Sequence, residues 1–160
     1  MKRTRRVVTG HDASGKAVVL SDGDAPNARL RPGSGLTSTL LWVTDETPAG
    51  LSGSADQAAR EIGIPPPERG TIFRVVDFPP GAPGEMHRTR SVDYAIVLEG
   101  EIDMLLDASE VHLRAGDVVV QRATNHAWVN RGGAACRIAF VLVDARGIIP
   151  ARHPPKEEAA

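Results

Sequence analysis

The sequence has little of several features that would assign it to a specialised class of protein. Its single cysteine, Cys136, cannot form an internal disulfide and gives no sign of an oxidising compartment. No stretch approaches the ~20 apolar residues of a transmembrane helix. The net charge is −1, so no strong field favours nucleic acid or a membrane as a partner. These absences predict a cytoplasmic protein that has neither nucleic acid nor a membrane as its partner.

The chain also lacks long helical periodicity and is rich in residues that break helices. It has 16 glycines and 12 prolines, and short apolar runs alternate with turn residues. Strands spaced roughly eight to twelve residues apart, with turns between them, are typical of a β-sandwich or barrel. Glu99-Gly100 lies between two apolar runs and predicts a hairpin. The run from Ala135 to Val143 predicts a last long strand. Its alternation puts four residues on one face, namely Cys136, Ile138, Phe140 and Leu142.

Residues 48 to 70 depart from this strand pattern. Ser54 to Glu61 could form two helical turns with Ser54 as the N-cap. The prolines of 65–67 forbid any continuation of that helix. The segment could therefore contain one short helix, and we expect it to form a mobile flap near one mouth of the fold.

The stretch from Gly81 to Gly100 concentrates side chains that can carry chemistry. His87 and Thr89 are two residues apart, so on an extended strand they point to the same face. Asp93 follows them, and His126 comes further along the chain. Two imidazoles and one carboxylate on adjoining strands can hold a divalent metal and leave coordination positions open.

The first of two motifs resembles that of the cupin family. The family pattern is Gly, five residues, His-x-His, three or four residues, Glu, six residues, Gly. This chain keeps every interval, with matching positions at Gly81, His87, Thr89, Asp93 and Gly100. It departs from the pattern at Thr89, which stands in place of the second histidine, and at Asp93, which replaces the longer glutamate.

The second motif is similar to the family pattern of Gly, five residues, Pro-x-Gly, two residues, His, three residues, Asn. The corresponding residues are Gly116, Arg122, Thr124, His126 and Asn130. Arg122 and Thr124 replace the proline and glycine, and one residue is missing before the histidine. The resemblance extends over roughly residues 71 to 143.

This resemblance implies an all-β fold, the antiparallel double-stranded β-helix or jelly-roll barrel of cupins, often dimeric through strand exchange. We interpret the chain as a single domain with three segments. Residues 1–70 supply extra N-terminal strands and a loop, packed on the barrel or exchanged with a partner. Residues 71–145 form the cupin barrel, and residues 146–160 form a C-terminal tail. A homodimer is the expected assembly.

The resemblance also implies a metal ion inside the barrel. His87, Asp93 and His126 would be its ligands, with Thr89 or water in the fourth place, a set that suits Fe²⁺, Mn²⁺ or Zn²⁺. Without a metal, a histidine with a pKa near ~6.5 beside a carboxylate is still a usable general acid or base. The structural alternative is that both histidines are buried and hydrogen-bonded while Asp93 pairs with Arg88 or Arg90.

Four residues are candidates to bind the substrate, namely Thr89, Trp128, Arg122 and Asn130. Trp128 could instead belong to the core, and Asn130 could instead begin the turn at 131–133. Arginine side chains that could bind a carboxylate or another anion are Arg74, Arg88, Arg90 and Arg122. Cys136, in an apolar strand, is interpreted as a small buried hydrophobe.

Together these features predict an enzyme with catalytic residues His87, His126 and Asp93. It would act on an oxygenated or anionic small molecule as a metal-dependent dioxygenase, decarboxylase, isomerase or cyclase. One alternative is a metal-free dehydratase or epimerase that uses histidine as acid and base. The other is a barrel that binds a small ligand without turnover.

Overall fold

The strands are short and antiparallel in the computed structural model, which describes residues 2–51, 53 and 55–150. Those residues contain eleven strands and no helix. In chain order the strands are β1 (Arg5–His11), β2 (Ala17–Asp24), β3 (Ala28–Leu30), β4 (Thr37–Thr44), β5 (Thr71–Phe78), β6 (Ser91–Glu99), β7 (Glu101–Leu106), β8 (Glu110–Arg114), β9 (Val118–Arg122), β10 (His126–Val129) and β11 (Cys136–Asp144). The all-β prediction is confirmed.

Two sheets enclose the core. The six-stranded sheet has the order β3-β4-β5-β11-β6-β9, and the three-stranded sheet has the order β10-β7-β8. Ile138 and Phe140 of the larger sheet share one buried cluster with Met104 and Trp128 of the smaller sheet. Apolar side chains on the inner faces therefore hold the two sheets together as a flattened barrel.

Strand β11 lies at the centre of the larger sheet and shows the predicted alternation. The four residues predicted to share a face, Cys136, Ile138, Phe140 and Leu142, all belong to the main core cluster. Ala139, on the opposite face, packs with Leu41 and Val75 in a second small cluster. Burial also raises the pKa of the Cys136 thiol to about 11, so this residue is a buried hydrophobe as predicted.

The hairpin between β6 and β7 turns at Glu99-Gly100, as the sequence predicts. Gly100 has φ = 74°, and a Cβ atom there would lie 2.6 Å from the carbonyl oxygen of Ala135. Glycine is required at this turn because any side chain would meet the main chain.

The short helix that residues 54–61 could have formed is absent from the described part of that segment. Residues 57–60 form a turn followed by a bend, and the candidate N-cap, Ser54, lies outside the described residues. The Nδ2 of Asn27 donates hydrogen bonds of 2.8 Å to the carbonyls of both Ala58 and Arg60. Tertiary contacts therefore take the carbonyl groups that helical hydrogen bonds would use.

The N-terminal hairpin of β1 and β2 forms a separate two-stranded sheet. Arg6 attaches it to the barrel through hydrogen bonds to the carboxylate of Asp56 and, at 3.1 Å, to the carbonyl of Leu41. The division of the chain at residues 70 and 145 stays a prediction, as does the homodimer. Within the described residues, no helix has the length and apolar character needed to cross a membrane.

Candidate active site

His87 and His126 meet inside the barrel. Their backbones form an antiparallel bridge, with both N–H···O hydrogen bonds at 2.9 Å. Their ring centroids are 4.4 Å apart. His126 is only 3 % exposed, whereas His87 is half-buried. The chain thus places one imidazole in the interior and the other between it and solvent.

Gly84 allows the segment that carries His87 to lie close to β10. It has φ = 68°, and a Cβ atom there would lie 2.7 Å from the carbonyl oxygen of Trp128. Only glycine tolerates this close approach in this backbone conformation.

Both histidine rings are oriented by the main chain. Nδ1 of His87 lies 2.8 Å from the carbonyl oxygen of Glu85, and Nδ1 of His126 lies 3.0 Å from that of Thr124. A carbonyl oxygen can only accept, so each Nδ1 carries the proton. In the neutral ring, Nε2 then has a free lone pair that can accept a proton or bind a metal.

Burial favours the neutral form of His126. Removal from water lowers the pKa of this imidazole, and the nearby charge of His87 lowers it further, while the hydrogen bond to Thr124 raises it in part. At neutral pH His126 is therefore an uncharged base.

Asp93 lies on β6 and is buried, with 6 % of its surface exposed. Its carboxylate accepts a 2.5 Å hydrogen bond from the hydroxyl of Ser91. Burial raises the pKa of Asp93, opposed by that hydrogen bond and by the charges of His87 and Arg74. The carboxyl group therefore holds its proton more tightly than an exposed aspartate does.

The predicted three-ligand metal set is not assembled among these residues. Across residues 2–51, 53 and 55–150, no group of three or more His, Cys, Asp or Glu side chains is arranged to hold a metal ion. His87 and His126 come together, but Asp93 is bonded to Ser91 instead. An aspartate is one methylene shorter than the glutamate of the family pattern. The donors as placed therefore do not fit the predicted set.

Two of the predicted substrate residues are buried near the histidines. Thr89 is 5 % exposed, two residues beyond His87. Trp128 packs edge-on against His126, with ring centroids 6.1 Å apart, and against Phe140 at 5.4 Å. Trp128 thus belongs to the core and also forms one wall beside the buried imidazole.

The other two predicted substrate residues lie elsewhere. Asn130 is buried, and its side chain bonds to the carbonyls of Phe78 and Ala134 and to the N–H of Gly132, so it closes a turn. Arg122 is exposed at the end of β9 and lines a cavity of about 690 Å³.

The arginines proposed as alternative partners of Asp93 bind the C-terminal segment instead. Arg88 donates to the carbonyl of Pro150 at 2.8 Å, and Arg90 donates to that of Gly147 at 3.1 Å. The structural alternative in which either of them pairs with Asp93 is therefore not observed.

Sequence reasoning missed two polar residues that support the site. Ser91 binds Asp93, and Gln121 donates a 3.2 Å hydrogen bond to the same Thr124 carbonyl that orients His126. Asp93 and Gln121 are register partners between β6 and β9. Strand alternation was the available signal, because Ser91 precedes Asp93 by two residues and shares its face.

Comparisons with known proteins give a consistent result. Residues 74–143 match the family model described as a cupin domain. The cupin-domain-containing oxidoreductase virC of Hypocrea virens is 36% identical over 155 residues, which cover 93% of this chain and 80% of that protein. Phomopsin biosynthesis cluster protein C' of Diaporthe leptostromiformis is 38% identical over 156 residues, with coverages of 92% and 82%.

A solved structure shows the same fold. The cupin domain of Cnp3 from Schizosaccharomyces pombe matches with a TM-score of 0.55, at 16% identity and over 89% of each chain. Identity this low concerns the fold alone.

Proposed function

This chain belongs to the cupin family, and we propose that it is a small-molecule enzyme whose chemistry depends on the paired imidazoles of His87 and His126. The observation that carries the proposal is the ring pair itself. Both Nδ1 atoms are bound to carbonyls, and the two Nε2 atoms have no partner in the described part of the chain, on rings whose centroids are 4.4 Å apart. The names of relatives such as the cupin-domain-containing oxidoreductase virC support an enzymatic role.

The reaction class that this geometry supports best is proton transfer. Neutral His126 removes a proton from a carbon atom next to a carbonyl group, and Nε2 is the atom that accepts it. His87 lies on the solvent side of His126 and can exchange that proton with water. Isomerisation, dehydration and cyclisation of a carbonyl compound can each begin with such a step.

The 690 Å³ cavity is the proposed entrance for the substrate. Ser91 and Thr124 both line it, and these are the residues that bind Asp93 and orient His126. Neither histidine lines the cavity itself, so a substrate must reach past these two residues to meet the Nε2 atoms. Arg122, on the cavity wall, can attract an anionic substrate.

A metal-dependent reaction is the second candidate, although Asp93 as placed does not complete the predicted ligand set. His87 and His126 are the residues that would hold Fe²⁺, Mn²⁺ or Zn²⁺, and the ion would supply a Lewis acid. The relatives named as oxidoreductases fit this candidate better than they fit proton transfer alone.

Deuterium exchange separates these candidates. Candidate ketones and 2-oxo acids are incubated with the protein in deuterium oxide, and exchange of the C–H next to the carbonyl is followed by NMR. We expect exchange that survives a strong chelator and falls by about 10²- to 10⁴-fold in His126→Gln. Exchange that the chelator abolishes and a stoichiometric metal restores would establish the metal-dependent candidate. Binding without exchange would indicate a non-catalytic barrel.

A further inference from the structure

Arg74 is a buried cation whose hydrogen-bonding capacity is only partly used. It lies on β5, facing the core together with Ile72 and Val76, and is 6 % exposed. One guanidinium nitrogen, Nη2, donates a 2.6 Å hydrogen bond to the carbonyl of Gly63. Its Nε–H is buried and has no partner among the described residues. Buried donors are normally satisfied, so an unpaired one points to a missing acceptor.

A second arginine, Arg31, lies close to Arg74. Both residues line a cavity of about 210 Å³. Burial lowers the pKa of Arg74 to about 10, and the neighbouring charge of Arg31 contributes to the lowering, while Asp93 opposes it. Arg74 is therefore still charged at neutral pH. Within the described part of the chain, no carboxylate forms an ion pair with Arg31 or Arg74.

The other arginines of the same cavity are already neutralised. Arg29 pairs with Glu61 at 2.8 Å, and Arg60 binds both carboxylate oxygens of Asp45, at 2.6 and 2.8 Å. Among the residues that the structure describes, the walls of the cavity carry four arginines and no acidic residue. The positive charge that remains is thus concentrated on Arg31 and Arg74.

We propose that Arg31 and Arg74 form a binding site for a carboxylate or another small oxyanion in this cavity. A planar guanidinium donates two parallel hydrogen bonds to such a group, and Nε–H is one of the usual donors. The cavity volume suits a small anion or the anionic end of a larger molecule rather than a polymer. The site does not depend on the reaction assigned to His87 and His126.

Titration calorimetry at constant ionic strength tests the site with sodium acetate and inorganic phosphate as probes. We expect saturable binding to the wild-type protein. Arg31→Gln should weaken the binding by about tenfold or more, because one charged donor is lost. Arg29→Gln is the matched control, since Arg29 lines the same cavity but is paired with Glu61, and it should change affinity by less than about twofold. His126→Gln should bind the probes as the wild type does.

The NMR signal of the Arg74 Nε–H provides a second readout that does not depend on the stability of a variant. It should shift on saturation with the probe, because the bound oxyanion accepts its hydrogen bond. Preference for acetate would assign the site to a carboxylate, and preference for phosphate to an inorganic oxyanion. The proposal fails if neither probe binds, if Arg29→Gln and Arg31→Gln weaken binding equally, or if the Nε–H signal does not move.

Discussion

The histidine pair (His87 and His126) and the arginine cavity (the cavity lined by Arg31 and Arg74) both contain side-chain nitrogen atoms that have no partner among the described residues, but the chain positions them differently. Each imidazole donates Nδ1–H to a carbonyl two residues away, so both free Nε2 atoms have a fixed direction. Arg74 has one carbonyl partner for Nη2 and none for Nε within the described structure. Local main-chain contacts complete the first region, whereas the second needs an acceptor from outside the described residues.

Burial has different consequences for the charge of the two regions. It lowers the pKa of His126 from a value that is already near neutrality, so the ring is uncharged at pH 7. It lowers the pKa of Arg74 only to about 10, so the guanidinium keeps its charge. The first region is therefore suited to moving a proton and the second to holding an anion.

The largest effect on stability should come from removing Phe140, which lies between the histidine pair and the arginine cavity. Phe140 is the register partner of Arg74 and packs against Trp128, which in turn contacts His126. We expect Phe140→Ala to lower the free energy of unfolding by about 3 to 5 kcal/mol, because it leaves a cavity in the core. Denaturant unfolding measures this loss.

Phe73→Ala is the control for that measurement. Phe73 lies on the opposite face of β5 and is 39 % exposed. Its removal should cost clearly less than the removal of Phe140, since a partly exposed ring loses less contact. If both variants lose the same free energy of unfolding, Phe140 does not belong to the packed layer between the histidine pair and the arginine cavity.

Gly84→Ala should disturb the histidine pair and leave the arginine cavity intact. The added Cβ would meet the Trp128 carbonyl oxygen at 2.7 Å, at a positive φ. We expect a loss of about 2 to 3 kcal/mol and faster hydrogen exchange at the amides of His87 and His126, whose mutual hydrogen bonds would loosen.

Gly81→Ala separates backbone strain from the clash. Gly81 also has a positive φ, 74°, but a Cβ atom there would meet nothing within 4 Å. This variant should lose only about 1 kcal/mol and keep the slow exchange of both histidine amides. If both variants lose the same stability and show the same amide exchange, the contact between position 84 and the Trp128 carbonyl is not the cause.

The sequence was sufficient to predict the histidine pair but not the arginine cavity. The resemblance of the two motifs to the cupin pattern implied that His87 and His126 lie together, and a backbone bridge joins them in the structure. Arg31 follows a three-residue strand in a loop-rich stretch without a motif. Its proximity to Arg74 depends on the pairing of β3, β4 and β5, which no local pattern specifies.

The remaining differences have tertiary causes. Residues 54–61 could have formed helical turns, but Asn27 binds the carbonyls of Ala58 and Arg60. The cupin resemblance implied that Asp93 faces the inside of the barrel, yet it could not predict that Ser91 would be its hydrogen-bond partner. Side-chain partners within a barrel depend on packing, which residue spacing alone does not determine.

Arg74→Met removes a buried cation that forms no ion pair with any carboxylate of the described structure, and so tests the charge of the arginine cavity directly. The apolar side chain should fit beside Ile72 and Val76, so stability should stay within about 1 kcal/mol of wild type or rise, while binding of oxyanions is lost. Arg137→Met is the control. Arg137 is equally buried but binds both oxygens of Asp77, at 2.6 and 2.9 Å. Its removal should cost about 2 to 3 kcal/mol, since Asp77 loses its partner.

The smallest expected effect is a difference in pH dependence between a buried and an exposed histidine. The folded-state pKa of His126 is lowered by burial, so the unfolded chain takes up this proton first, and stability from this group falls as the pH drops through about 6.5. The pKa of exposed His112 is raised, chiefly by its hydrogen bond to Asp103 and further by the charges of Asp103 and Glu101. Its contribution is complete below about pH 6.5 and is lost as the pH rises through its folded pKa.

Histidine NMR titration between pH 5 and 8 measures these two shifts directly. His126 should titrate below about 6.5 and His112 above it. Thermal unfolding should agree. The His112→Gln variant should gain more stability as the pH rises than the wild type does, because it lacks a contribution that is lost at high pH. The His126→Gln variant should gain less, because it lacks a contribution that is lost at low pH. A His126 ring that titrates at about 6.5 or above would mean that water reaches the inner imidazole. In that case burial would not keep the ring neutral, and the electrostatic difference between the two regions would disappear.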